Sequence, residues 1–231
     1  MNYQGQYAVS AVAGLAVEER SKFIVRTYAH LLGAIGAFTL LEVYFFQSGL
    51  AERIAGALLS VNWLFVLGGF ILASWLASRF AHTAESRAVQ YLALGGFVLA
   101  EAIIFVPLLV VANYYAPGAI GSAAGVTVLG FAGLTAVVFV TRKDFSFLRS
   151  ALMWGGVLAL VAIAAGVLFG FELGTFFSIA MIGLAGGAIL YDTSNVLHHF
   201  PEDRYVGAAL ELFASVALLF WYVLRLLISR D

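Results

Sequence analysis

Cysteine is absent from this chain, which excludes disulfides and thiolate chemistry while saying nothing about compartment. Charge is nearly as scarce. Asp, Glu, Lys and Arg make up 11% of residues against 63% apolar, and the mean hydropathy is +0.99. That leaves too little polar surface for a water-soluble globule, so the composition points to a polytopic membrane protein whose main partner is the lipid bilayer; no nucleic-acid partner is expected. Lysine occurs only at Lys22 and Lys143, both flanking apolar runs, which excludes the Schiff-base helix lysine of a retinal protein. The histidines, His30, His82, His198 and His199, fall near span ends, and no GxSxG occurs, which argues against a rhomboid-type serine protease. Tyr191-Asp192 has no GxGD partner, which argues against an aspartyl intramembrane protease. No enzymatic activity and no bound cofactor are expected.

At about 20 apolar residues per transmembrane helix, the chain offers seven spans, at about 27–46, 57–78, 89–111, 119–140, 150–169, 174–191 and 206–227. They use nearly the whole sequence, so one membrane domain is expected over 23–231. Residues 1–22 lack the basic start of a secretory signal and read as a retained, mobile tail. Nine cations border the spans on one side: Arg20, Lys22, Arg26, Arg79, Arg87, Arg142, Lys143, Arg149 and Arg204. Arg53, Arg225 and Arg230 lie on the other. The positive-inside rule then puts the N-terminus in the cytoplasm and the C-terminus outside. Small-xxx-small pairs at Gly121/Gly125, Gly166/Gly170 and Gly183/Gly187 predict close packing of spans four, five and six, although glycine is common enough in membrane helices for composition alone to produce them.

Four carboxylates, Glu42, Glu101, Asp192 and Glu211, lie in or at the rims of the spans, where an acid at a helix centre costs about 2.5–3.5 kcal/mol. Glu42, near the outer end of its span, is expected to reach interfacial water. Glu101 sits mid-span in LAEAIIFVP, with Pro107 loosening the helix ladder beyond it, and is expected to face the interior or a water-lined space. In the last span Glu211, Ser215, Leu218, Tyr222 and Arg225 recur at alternating steps of four and three, forming one stripe that should face the bundle interior. Glu101, Tyr222 and Arg225 are the interior polar candidates.

Asp192 closes the sixth span in GLAGGAILYDTSNVLHH, on the same side as Glu211, and is expected to meet Glu211 or Ser215 at the cytoplasmic mouth. Asp192, Glu211 and Ser215 are therefore the gate and pH-sensing candidates. An Asp192–Glu211 pair in low dielectric would share a proton or hold a cation such as Ca2+. The structural alternative is that Asp192-Thr193-Ser194-Asn195 caps the segment that follows. His198 and His199 read as a surface pair rather than metal ligands.

These residues resemble the Bax inhibitor-1 superfamily of seven-span proteins, and specifically its bacterial YccA branch. TRKDFSFL at 141–148, GAILYDTSNVLHH at 187–199 and the polar stripe of the last span carry the likeness, with VRTYAHLL at 25–32 similar to the family's first span. The resemblance implies an all-α integral membrane fold with the last helix central and six others around it. In the calcium-conducting members, an aspartate at the Asp192 position pairs with a second aspartate on the last helix as a pH-sensitive latch. Ser215 stands at that second position here, so the latch does not carry over; Glu211, one turn away, substitutes only if its side chain reaches. The YccA branch implies a bacterial inner-membrane protein that is a substrate and modulator of an FtsH-type AAA protease, for which the N-terminal tail would be a handle. Two readings follow: a modulator of membrane proteolysis, and a pH-sensitive leak for calcium or protons.

Overall fold

The computed structural model describes residues 11–229. Eight helices follow one another: α1 (Val17–Gln47), α2 (Leu50–Leu59), α3 (Trp63–Thr83), α4 (Arg87–Tyr115), α5 (Ala119–Thr141), α6 (Leu148–Phe169), α7 (Thr175–His198) and α8 (Tyr205–Ile228). All but α2 are long and apolar enough to cross a membrane. The molecule is an all-α, multi-pass membrane protein. Its connections are short, and the backbone turns sharply where glycine permits it: Gly49, Gly118 and Gly170 take the left-handed conformation at helix ends. Arg142 is the one non-glycine described residue with positive φ, at 51°, where α5 stops.

The span expected at 57–78 is two elements. Gly49 ends α1, the ten-residue α2 runs over 50–59, and Asn62 starts α3 by accepting the Leu64 N–H at 2.9 Å. At the other end of the chain, the sixth span does not stop at 191. α7 continues through Asp192, Thr193, Ser194 and Asn195 to His198, and α8 starts after Arg204, so this tetrad caps nothing. Of the expected tail 1–22, residues 1–10 lie outside the described residues. Val12–Gly14 form a single 3-10 turn, with the Val12 N–H donating to the Phe200 carbonyl at 3.0 Å and the Val12 side chain buried, and α1 already begins at Val17.

α8 packs against α1, α3, α4, α5 and α7. Five spans surround it rather than six, because α6 lies outside against α7 and α3 and buries only Ala159. The mostly apolar rest of α6 is suited to lipid. Of the expected glycines, Gly187 alone makes a close contact with a neighbouring helix. No neighbouring atom stands within 4 Å of a Cβ placed at Gly121, Gly125 or Gly183, and Gly170 ends α6 while Gly166 faces the turn it makes. Gly187 meets Leu152 and, outside the expected pairs, Gly155 meets Leu184, interlocking α6 with α7, while Gly207 on α8 lies against α3. α7 contacts both α5 and α6, which do not pack on each other.

Candidate functional site

Helix α7 carries Asp192 about 9 Å before its end, at 1.5 Å per residue, so the carboxylate lies within the bundle and not at its rim. Asp192 is 8% exposed, and its neighbours Thr193 and Ser194 are fully buried. Across the interface with α8, the Ser215 hydroxyl donates to Asp192 Oδ2 at 2.5 Å. A serine supplies one donor and no competing charge, so the contact satisfies the acid without a second carboxylate.

Glu211, one turn from Ser215, is not hydrogen-bonded to Asp192, although it lies within electrostatic reach of it. Its carboxylate is 2.9 Å from His82 Nε2 at the end of α3. The other ring nitrogen, Nδ1, lies 2.7 Å from the Ser78 carbonyl, which can only accept. Nδ1 therefore carries a proton, whereas the Nε2–Glu211 approach is a close polar contact without hydrogen-bond geometry, Nε2 having no hydrogen-bond partner. Gly207, one turn before Glu211, makes room: a Cβ there would stand 3.2 Å from both the Ala81 carbonyl and His82 Nε2. His82 was not among the expected site residues. Its sole sequence signal is that it ends a span on the side where Glu211 begins the last one.

The expected Asp192–Glu211 calcium pair does not fit these contacts. Each carboxylate has its own partner, and no group of three or more histidines and acids that could hold a metal occurs among the described residues, whereas Ca2+ takes six to eight oxygens.

Beyond Ser215 the bundle opens toward the end poor in cations. A cavity of about 1160 Å³ runs between α3, α4 and α8 to the Phe171–Gly174 connection, and Glu101, Ser215, Tyr222 and Arg225 all line it. The last-span stripe thus divides, with Glu211 engaged toward the basic end and Tyr222 and Arg225 in the cavity. Arg225 donates to the Leu173 carbonyl at 2.6 Å and lies over the Phe177 ring. Tyr222 packs edge-on against the same ring. Glu42 does not reach water as expected: it is 7% exposed, and neither carboxylate oxygen has a hydrogen-bond partner.

At the basic end, two of the motifs noted in the sequence touch. Asp144, in the connection after α5, accepts from the Ser146 N–H at 2.8 Å and from His199 Nε2 at 2.8 Å, and the Phe145 N–H donates to Ser194 Oγ at 2.9 Å. The Ser146 amide first, against the opposing effect of burial and with the help of His199, holds the Asp144 carboxyl down at about 2. His199 is thus one half of a clasp and not part of a free surface pair. Nearby, Arg204 donates to the Ala84 carbonyl at 2.5 Å, and Arg87 donates to the Asp203 carbonyl while lying 4.6 Å from the Tyr205 ring centroid. The α3–α4 and α7–α8 turns are stitched together.

A seven-span bundle wrapped on its last helix, tied at the basic end and hollow at the other, defines a class of helical membrane protein built around one buried polar track. The chain belongs to the Bax inhibitor-1 family: the family described as "Inhibitor of apoptosis-promoting Bax1" matches residues 20–231. It is 37% identical over 115 residues to the "Modulator of FtsH protease YccA" of Escherichia coli K12, covering 48% of this chain and 52% of that protein. The same figures hold for the "Inner membrane protein YccA" of Escherichia coli O6:H1. The match therefore spans about half the length of these relatives. An uncharacterized protein of Campylobacter jejuni is 29% identical over 230 residues, covering 91% of this chain and 90% of that one.

Proposed function

We propose that this protein is a non-enzymatic inner-membrane modulator of an FtsH-type protease, itself a substrate-like binder of that enzyme, acting in membrane-protein quality control. The similarity to the relative named a modulator of FtsH protease carries this reading. The fold is compatible with it. A bundle whose basic-end turns are cross-tied and whose last helix is gripped by five others resists extraction, so a protease that engages it is held rather than quickly released. The excess of Lys and Arg at the tied end supports a cytoplasmic position for it by the positive-inside rule, on the side where an ATP-dependent protease works. The test is co-purification of the full chain with the membrane-anchored protease from detergent extracts. Stable recovery of a complex is the expected result, and absence of the protease at matched expression contradicts the reading.

A second reading is favoured by the cavity, which brings Glu101 and Ser215 to one space ending at the Asp192 contact. In this reading the molecule is a closed cation leak: calcium or protons reach Ser215 from outside and are stopped by the Asp192–Ser215 and His82–Glu211 pairs. Calcium flux into proteoliposomes containing wild type or Asp192→Asn, between about pH 6 and 8, separates the two readings. A wild-type flux that Asp192→Asn alters supports the leak; identical, pH-independent traces remove it.

A further inference from the structure

Glu101 is the one buried acid in the cavity wall; the other acid there, Glu172, lies exposed in the connection at the mouth. It sits at the middle of α4, 6% exposed, and makes no hydrogen bond or ion pair among the described residues. Around it the wall is largely apolar and aromatic, with Phe70, Phe105, Leu108, Leu218 and Trp221. The cation nearest the mouth, Arg225, is committed to the Leu173 carbonyl and the Phe177 ring. A carboxylate in such surroundings is costly unless a cation comes to it. The space, about 1160 Å³, holds a drug-sized ligand, since such sites run from about 300 to 1,000 Å³.

The chemistry of the wall selects among cations. Ca2+ would need six to eight oxygens, and this largely apolar wall offers few, with Glu101 its one buried carboxylate. At the depth of the apolar wall that leaves a single carboxylate, since Glu172 is exposed in the connection at the mouth. A single ammonium needs only one carboxylate, and the rest of an amphiphilic amine gains from apolar and aromatic contact. We propose that this cavity is a binding site for hydrophobic organic amines, the ammonium pairing with Glu101 and the apolar body filling the space between α3, α4 and α8. The proposal rests on neither functional reading above: the site lies on the far side of Ser215 from the Asp192 and Glu211 pairs, and a modulator or a leak would equally contain it.

The probe is dansylcadaverine, a primary amine on an environment-sensitive aromatic body, titrated into the full-length protein in detergent. Dansylamide, which lacks the ammonium, is the control. Wild type should give saturable, blue-shifted emission with dansylcadaverine and bind dansylamide about tenfold more weakly or worse, with Glu101→Gln losing that preference and Glu101→Asp keeping it. Equal binding of both probes to wild type overturns the proposal, and this comparison requires no variant to fold. Unchanged amine affinity in a folded Glu101→Gln protein overturns it as well, as does displacement of the amine by micromolar CaCl2, which would make the cavity a calcium site.

Discussion

Between Asp192 and Ser215 there is one hydrogen bond, and its worth follows from what is left when the hydroxyl is removed. Ser215→Ala strands a buried carboxyl without a donor, a loss of about 1–3 kcal/mol that should appear as a lower unfolding temperature in detergent. The His82–Glu211 contact behaves differently. Because Nδ1 is already committed as a donor to Ser78, a glutamine at 211 can offer its amide N–H to Nε2. Glu211→Gln should therefore unfold close to wild type, and Glu211→Ala should lose most of the contact. A larger loss from Gln than from Ala would show that the charge of Glu211, not its shape and polarity, holds the contact together. Asp144 gives a pH test outside the membrane. Its carboxyl is held down at about 2, below the ordinary carboxylate value, so the clasp stabilises the fold fully above about pH 4 and the stabilisation is lost as pH falls through about 2. Asp144→Asn should unfold at a lower temperature than wild type at pH 7, with the gap narrowing between pH 4 and 2; a constant gap contradicts this. Of this site, Asp192, Ser215 and Glu211 were legible in the sequence because acids in apolar spans stand out and the four-three spacing fixes a helical face. The Asp192–Ser215 contact was one of the two alternatives read there, but the Glu211–His82 contact was not. It depends on where α3 crosses α8, which hydropathy does not encode, and so His82 went unmarked and Glu211 was matched to the wrong partner.

Helices approach one another here through particular glycines, and sequence spacing does not identify them. Gly207 lets α3 and α8 close onto the His82 ring, so Gly207→Ala should force the two helices or the ring apart, at about 1–3 kcal/mol, and disturb the Glu211 contact. Gly121→Ala and Gly125→Ala, with open space around each Cβ, should leave unfolding temperatures within a degree or two of wild type or raise them. Equal losses at all three positions would mean that general helix flexibility, not close approach, is what the glycines supply. Seven spans could be read directly because a 20-residue apolar run is a local property. The split of α2 from α3, the extension of α7 past Asp192 and the outlying place of α6 could not. Each depends on packing between elements: α7 continues as a helix because Thr193, Ser194 and Val196 are buried against its neighbours, whereas their composition alone reads as a cap.

For the whole molecule, the two ends of the bundle differ in kind. The basic end is closed by Arg87, Arg204, the Asp144 clasp and the His82–Glu211 pair, and the opposite end is hollow as far as Ser215. In the orientation proposed above, the cross-tied face meets the cytoplasm and the ligand-sized recess opens outward, which suits a modulator that must be engaged by a protease without being unfolded readily. The most direct measurement is the degradation rate of a second membrane substrate by an FtsH-type protease in proteoliposomes, with ATP, as this protein is added at increasing ratios. A substrate-like modulator occupies the protease and should slow that degradation in proportion to its own binding. A rate that stays constant up to several molecules per protease hexamer would contradict the account.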